Sequence, residues 1–374
     1  MINQKIVHLA KFFPPHKGGI EKITSIFANN NENSKITIIA FSNKFTPNIR
    51  KRNLNVIICK TLFESYSQPF SFNYIYQGIK GLLKSDIVHV HAPNILAFMV
   101  LLLPFRRKII VHWHSDIIHY HNFRFIIKPI ENLILNKAAK IVCATQNYYE
   151  SSKILSKYEN KISLIPYGIK ENQNTQNIIS NKIKVLVKEL RQKKIIISVG
   201  RLIKYKGFDK LVEVGNFLSE DCIILIVGNG PLENSLSQKI IKNKLQKKVK
   251  ILNNISNEDL AFLLKNSNLY CCFSINRQES FGISLIEALM HKLPIYSEEI
   301  AGSGVSYVNP NGITGINTKS IDAQRTAIKI NKLLSNKEKM KVMSNNAYAR
   351  YKKLFTEERM LLSFKNLYKD ILKN

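Results

Sequence analysis

The sequence predicts an α/β protein made of two Rossmann-like domains, and three observations carry that prediction. Short apolar runs recur along the chain with helix-like stretches between them, as strands of a parallel sheet covered on both faces require. The series is interrupted by a polar stretch rich in Asn and Gln, Lys170–Asn181, and begins afresh after it. At 374 residues the chain has room for two full cores.

In chain order the strand-like runs of the first half are Lys5–Ala10, Ile36–Phe41, Val56–Cys59, Ile87–His91, Ile109–Trp113, Ile141–Ala144 and Ile162–Ile165. Those of the second half are Ile195–Val199, Cys222–Val227, Val249–Leu252, Leu269–Phe273 and Leu293–Tyr296. Two such domains leave a cleft, and ligands of open α/β sheets bind at the carboxyl ends of the strands. Residues that follow a strand directly are therefore the first place to look for chemistry.

Composition narrows the classes. Hydrophobic residues make up 45%, as in a soluble globular protein. The opening residues run straight into a strand, so no secretory leader is expected. The longest apolar run, from Ile95 to Phe105, has eleven residues and contains Pro104, too short to span a bilayer. Cys59, Cys143, Cys222, Cys271 and Cys272 sit mostly inside apolar runs and read as reduced core thiols of a cytosolic protein. Net charge is +30, from 56 basic and 26 acidic residues, which points to anionic partners. The lysines are dispersed and accompany no nucleic-acid motif, so a membrane surface or a phosphorylated substrate ranks above nucleic acid.

The most informative segment is Arg277-Gln278-Glu279-Ser280-Phe281-Gly282, followed by a helical pattern that carries Glu287. Ile283, Ile286, Leu289 and Met290 keep helical spacing, and Gly282 sits at the entry turn. Backbone N–H groups around Phe281 and Gly282 would then point outward at a helix start, where an anion is stabilised. A carboxylate on each side of such a cradle suits a ligand with hydroxyls at both ends and phosphate between, as in a nucleotide sugar. Exposed glutamates early in a helix also simply complement its dipole, so the pair needs company.

That company comes from the loop after Ile195–Val199, where Gly200-Arg201 is followed by Lys206-Gly207. Two cations at the carboxyl edge of a sheet can neutralise a diphosphate. Gly228-Asn229-Gly230-Pro231, after the next run, is a tight turn that could border the base. In the first half, Gly18-Gly19 precede a helix and would let the backbone approach a phosphate, or form an ordinary strand–helix turn. No Asp-x-Asp occurs, so positive charge at the diphosphate must come from the protein.

Histidines form three His-x-His pairs, His89/His91, His112/His114 and His119/His121. Residues two apart on a strand share a face, which raises a metal site, but no cysteine or carboxylate clusters with them, and none is expected. Such histidines hydrogen-bond substrate or sit satisfied in a core. His114, in His112-Trp113-His114-Ser115-Asp116, is the best-placed polar group of the first half.

Taken together, these segments resemble the GT-B glycosyltransferases of family 4, retaining and metal-independent enzymes. The resemblance rests on Gly18-Gly19, His89-Val90-His91-Ala92-Pro93-Asn94, His114-Ser115-Asp116, Ile165-Pro166-Tyr167-Gly168-Ile169, Gly200-Arg201 with Lys206-Gly207, and Glu279 with Glu287. His114-Ser115-Asp116 with Ser303–Asn309 looks most like the mannosyl- or rhamnosyltransferase branch that builds surface polysaccharides. It implies an acceptor domain at 1–168, a nucleotide-sugar domain at 169–352, and a helix at 353–374 that packs back on the first domain. By position, Glu287 would bind ribose hydroxyls and Glu279 sugar hydroxyls, with Phe281 and Gly282 donating backbone N–H groups. Arg201 and Lys206 would hold the diphosphate, Gly19 would close over it, and His114 would contact the transferred sugar. Retention would proceed by front-face attack, the leaving phosphate taking the acceptor proton. No cofactor is implied. Phe273-Ser274, Lys292 and Ser303-Gly304 depart from the family pattern and weaken any inference about the donor sugar.

The expected activity is transfer of a hexose, mannose from GDP-mannose, to a lipid-linked oligosaccharide at the inner face of the cell membrane. A UDP-sugar donor and a non-catalytic binding protein on the same frame are the alternatives. Basic clusters at Arg50-Lys51-Arg52 and Arg106-Arg107-Lys108, with interleaved aromatics from Tyr66 to Tyr76, suit an anionic membrane surface. The competing reading turns Phe70, Phe72 and Tyr74 into the first domain's core.

Overall fold

A computed structural model describes residues 4–16, 18–30, 34–44, 46–65, 68–116, 124–171 and 179–373. His119, His121, Tyr66 and most of the polar connection named above lie outside these residues. The chain divides into two compact units, one of Met1–Gly168 with Glu357–Asn374 and one of Ile169–Thr356.

The first unit contains β1 (Gln4–Phe12), β2 (Ser34–Ser42), β3 (Ile49–Lys51), β4 (Leu54–Lys60), β5 (Phe63–Ser65), β6 (Gln68–Phe70), β7 (Ile87–Ala92), β8 (Lys108–Trp113), β9 (Lys140–Cys143) and β10 (Ile162–Leu164). Eight of them form one sheet in the order β10-β9-β8-β7-β1-β2-β4-β3, while β5 and β6 make a separate hairpin. Pairing is parallel except at the β3 edge. The winding reverses direction between β1 and β7.

The alternation along the central strands sends different chemistry to the two faces. Val7, Leu9, Val88, Val90, Val111 and Trp113 pack into one apolar cluster with Tyr74 and Leu82 of the helix Phe72–Lys84. Each such fully buried aliphatic side chain is worth roughly 1.5–3 kcal/mol. The opposite face carries His8, His89, His91, His112 and His114, all buried. Against it pack Phe27 of the helix Gly19–Asn29 and Phe364 and Tyr368 of the helix Glu357–Lys373. The C-terminal helix thus covers a polar sheet face that would otherwise be open. It begins at Glu357, four residues after the predicted start at 353.

The second unit holds β11 (Lys194–Val199), β12 (Cys222–Val227), β13 (Val249–Leu252), β14 (Leu269–Cys272), β15 (Ile295–Glu298) and β16 (Gly315–Thr318). Their order is β13-β12-β11-β14-β15-β16, all parallel. This is the doubly wound order, with its switch point between β11 and β14. β12 is buried along its whole length, as a central strand covered on both faces must be. The run predicted as Leu293–Tyr296 forms its strand two residues later, at Ile295, after Lys292 takes a positive φ of 61° and Pro294 follows.

Among the described residues no helix is long and apolar enough to cross a membrane. The aromatic stretch is split between the two readings given above. Tyr74 is buried and donates to the Ala10 carbonyl at 3.1 Å, whereas Phe72 and Tyr76, four apart on the same helix, are 68% and 61% exposed.

Candidate active site

The switch point of the second unit gathers four segments that sequence spacing had related only by guess. The chain leaves β11 through Gly200 and Arg201 and makes a short 3-10 turn at Lys204–Lys206. Gly207 then starts the helix Phe208–Gly215 with φ 65°. A Cβ at Gly207 would lie 2.0 Å from the Phe273 carbonyl oxygen, so glycine is required for this loop to lie against the end of β14. The Ile275 N–H, donating to the Tyr205 carbonyl at 2.8 Å, ties the same two loops together. The loop after β12 is pinned likewise. Leu202 N–H donates to Asn229 O at 2.9 Å, and a Cβ at Gly228 would lie 1.9 Å from Gly200 O.

This clamp delivers Lys206 to Glu279. Lys206 Nζ lies 2.5 Å from Glu279 Oε2, and the two side chains are 14% and 8% exposed. Ser274 Oγ donates to the same oxygen at 2.9 Å, and Ser303 Oγ donates to the Glu279 carbonyl. Burial by itself would draw the Lys206 pKa down, but Glu279 outweighs it and the net shift is upward, so the ammonium is retained. Burial pushes the Tyr205 phenol up, and that group lies within electrostatic reach of Lys206, Glu279 and Arg201. Burial likewise pushes the Cys272 thiol up to about 11. A small cavity beside Lys206 is lined by Ser198, Tyr270, Cys272, Ser274 and Ser284.

The helix Ile283–Met290 starts at Gly282, whose φ of 87° turns the chain into the first helical turn. Phe281 is buried and stacks edge-on with Phe355, their centroids 5.9 Å apart, which fixes the entry to the helix. Glu287 is half-buried in the second turn, as spacing predicted. Arg201 is exposed, and although its carbonyl accepts from Ile203 N–H at 2.8 Å, its guanidinium makes no hydrogen bond or ion pair among the described residues and is free for a ligand. Lys206 and Glu279 therefore meet directly, with Arg201 and the Gly282 turn on neighbouring segments of the same sheet edge.

The first-unit residues fall elsewhere. Gly18 and Gly19 open the helix Gly19–Asn29, as expected of a strand–helix turn. His114 is 3% exposed, with Nε2 at 2.9 Å from His91 Nδ1 and Nδ1 at 2.6 Å from Tyr167 Oη. As placed, it has no nitrogen left to offer the transferred sugar. Burial holds its pKa well below the ordinary histidine value, so the ring is neutral.

With that geometry in hand, the chain can be set beside known proteins. The sequence pattern of the glycosyl transferases group 1 matches residues 180–350, and that of glycosyltransferase family 4 matches residues 18–173. The chain is a GT-B glycosyltransferase of family 4. It is 27% identical to the O-antigen chain mannosyltransferase C of Escherichia coli over 99% of each chain. It is 29% identical to the D-rhamnosyltransferase WbpZ of Pseudomonas aeruginosa, over 78% of this chain and 75% of the relative. Its enzyme class is that of a hexosyltransferase. A glycosyltransferase from Rickettsia africae, covering 100% of both chains at 21% identity, superposes with a TM-score of 0.75. Anabaena Alr3699/HepE, solved with UDP and glucose, gives 0.77 at 16% identity over 98% of this chain and 100% of that one. At these identities the structural likeness establishes the fold.

Ser274, Ser303 and Tyr205 surround the Lys206–Glu279 pair, and spacing did not single them out. Ser274 had stood out as part of a departure from the family pattern, and Ser303 both as such a departure and as the start of the stretch that resembles the mannosyl- or rhamnosyltransferase branch. Ser274 follows β14 directly and lies five residues before Glu279, a signal that the strand order would have made usable, whereas Ser303 is 24 residues away and gave none.

Proposed function

We propose that this glycosyltransferase transfers mannose, with retention and without a metal, from GDP-mannose to a lipid-linked oligosaccharide of a surface polysaccharide. The observation that carries the reading is the Lys206–Glu279 pair at the switch point of the second unit, where a nucleotide diphosphate meets the carboxyl ends of the strands. Lys206 and the free Arg201 supply positive charge to the diphosphate and stabilise the negative charge that grows on it as the sugar leaves. Glu279 and Glu287 recognise hydroxyls, Glu279 those of the sugar and Glu287 those of the ribose. Neither acts as general acid or base, because the departing phosphate oxygen takes the acceptor proton. The names of the Escherichia coli and Pseudomonas aeruginosa relatives support a mannose-like donor and an O-antigen-like product.

A thermal-shift screen with GDP-, UDP- and dTDP-sugars tests the donor, since a ligand that binds only the folded chain raises its midpoint. GDP-mannose is expected to give the largest rise. A larger rise with a UDP-sugar would replace the donor assignment while leaving the site in place.

The acceptor reading is supported by the first unit's surface. Phe63, Phe70 and Phe72 form a contiguous aromatic group, with centroids 5.0 Å apart at each contact. Phe63 and Phe72 are 59% and 68% exposed, and Arg50, Lys51, Arg52, Arg106, Arg107 and Lys108 are exposed in the same unit. Basic groups with interfacial aromatics favour an anionic bilayer surface. Co-sedimentation with phosphatidylglycerol vesicles at low salt is expected, weakened by Phe72→Ser and by added salt. No binding at low salt would remove the membrane from the proposal.

A further inference from the structure

Five histidines that the transfer chemistry leaves unused lie on one face of the first unit's sheet. His8 stands opposite His89 in the β1–β7 pairing, and His91 opposite His112 in the β7–β8 pairing. Alternation along the strands then places all five rings on the same side, His114 following at the end of β8. They are buried, none more than 3% exposed.

Their hydrogen bonds form two strings. In one, His8 Nδ1 is 3.1 Å from His91 Nε2, His91 Nδ1 is 2.9 Å from His114 Nε2, and His114 Nδ1 ends 2.6 Å from Tyr167 Oη. In the other, His112 Nδ1 is 3.2 Å from His89 Nε2, and His89 Nδ1 ends 2.6 Å from Tyr368 Oη. A neutral imidazole has one N–H and one lone pair, so each string can run in either direction. Whichever way it runs, it stops at a buried nitrogen with no partner, His8 Nε2 in the first and His112 Nε2 in the second. Buried polar atoms left unpaired are rare in native proteins and call for an explanation.

The same five rings contain two triads, His8/His89/His91 and His91/His112/His114, in each of which one nitrogen per ring lies within 4.8 Å of the others. Each triad includes one of the two rings with an unpaired nitrogen, and His91 belongs to both. Tetrahedral zinc with bonds of 2.0–2.1 Å holds its nitrogen ligands about 3.3–3.4 Å apart. Within each triad one ring-to-ring contact is short, His8 to His91 at 3.1 Å and His91 to His114 at 2.9 Å, and both lie a few tenths of an ångström from that spacing.

We propose that the first unit binds one divalent transition-metal ion of the zinc class in this histidine cluster, with His91 as the indispensable ligand. A neutral ring offers one lone pair, so His91 serves one ion at a time and the stoichiometry is one per chain. Imidazole-only ligation selects zinc, cobalt, nickel or copper and rejects magnesium and calcium, which require oxygen ligands. Tyr167 and Tyr368 occupy the positions of outer partners, holding the far nitrogens of His114 and His89 and so fixing ring orientation. The ion would fasten β1, β7 and β8 together, and through Tyr368 the helix Glu357–Lys373. Its role is structural and separate from the Lys206–Glu279 site.

The test uses the full chain without an affinity tag, freed of metal by a chelator. Zn²⁺ is titrated against a chromophoric indicator, and Co²⁺ is followed by the visible absorption of tetrahedral cobalt. One equivalent is expected, with a thermal midpoint that keeps rising with free Zn²⁺ and ignores Mg²⁺. His91→Gln should weaken zinc binding by about 100-fold or more, whereas the exposed His16→Gln should leave it unchanged. If His91→Gln does not fold, the double variant Tyr167→Phe/Tyr368→Phe, which removes the outer hydroxyl of each triad, should weaken binding by about 10–100-fold. Zinc binding equal in wild type and the folded variant, or a wild-type midpoint indifferent to Zn²⁺, would overturn the proposal and leave the cluster a metal-free core.

Discussion

Replacing Lys206 by alanine separates the two roles that the structure gives this residue. Its ammonium lies 2.5 Å from Glu279 Oε2, with the side chains 14% and 8% exposed, so neither charge is well solvated. Removing one partner of a buried pair costs roughly 3–5 kcal/mol, because the other charge stays behind. Ser274 Oγ still donates to Glu279 at 2.9 Å, which places the expected loss at the lower end, about 3 kcal/mol. The loss should not change between pH 6 and 9. Lys206 has its folded pKa raised above the ordinary 10.5, so its stabilisation is fully present below that value and declines only at higher pH. Turnover at saturating donor should fall by about 10²–10³, the range for losing one donor to the charge that develops in the transition state. The double variant Lys206→Ala/Glu279→Gln removes both charges. It should be less destabilised than the sum of the singles, with a coupling of about 1–3 kcal/mol, yet recover no turnover. Urea unfolding and initial rates on the same preparations read both quantities. Near-normal turnover in a folded Lys206→Ala protein would refute the catalytic assignment, and additive stabilities would refute the buried pair.

Two further outcomes follow from the geometry. Gly228→Ala should destabilise the second unit by about 3 kcal/mol, since its Cβ would lie 1.9 Å from the Gly200 carbonyl oxygen at a φ of 156°; urea denaturation reads the loss, and a shift under 1 kcal/mol would mean that the β11 and β12 loops are not locked together. The five cysteines are buried, with burial pushing Cys59 up to about 12 and Cys272 to about 11, so all should resist alkylation at pH 8 until the chain is unfolded. Thiols whose folded pKa is raised bind protons that the unfolded chain gives up, so stability should decline as pH rises from about 9 towards 11. A cysteine that reacts rapidly in the folded protein at pH 8 would contradict this packing.

Much of this was legible in the sequence where burial imposes a pattern. Runs such as Cys222–Val227 are apolar on both faces because both faces are covered, and they became strands where they were read. The elements that escaped, β3, β5, β6 and β16, are short, and all four lie at a sheet edge or in an isolated hairpin, where the core dictates composition least. β16 passes unnoticed because Gly315-Ile316-Asn317-Thr318 looks like a loop. Its glycine is there because a Cβ would lie 1.8 Å from the Ile295 carbonyl oxygen. At the site, Glu279 and Lys206 could be singled out but not joined, since 73 residues separate them and only the strand order places β14 beside β11. The histidines failed in the opposite sense. Their pairing along single strands was plain, but His8 carried no signal within its own strand, and only the sheet register brings it to His89 and His91.

The two sheets are wound alike around their switch points and use the shared geometry for opposite ends. Beside β11 the second unit holds two opposite charges that nearly exclude water. In the reading proposed here the ion pair is a resting state, because a diphosphate entering the site competes with Glu279 for Lys206. Exchange of one anionic partner for another keeps the lysine paired throughout, so little of the donor's binding energy is lost to desolvating a bare ammonium. Glu279, released from the lysine but still held by Ser274, is then free to accept hydrogen bonds from the sugar, which couples recognition of the sugar to placement of the catalytic cation. Beside β1 and β7 the first unit instead buries neutral imidazoles, which attract no anion and join their strands through ring-to-ring hydrogen bonds or, in the proposal above, through a shared metal ion. A substitution that disturbs the histidine face should therefore act on the stability of the first unit, and one at Lys206 or Glu279 on the chemistry of the second.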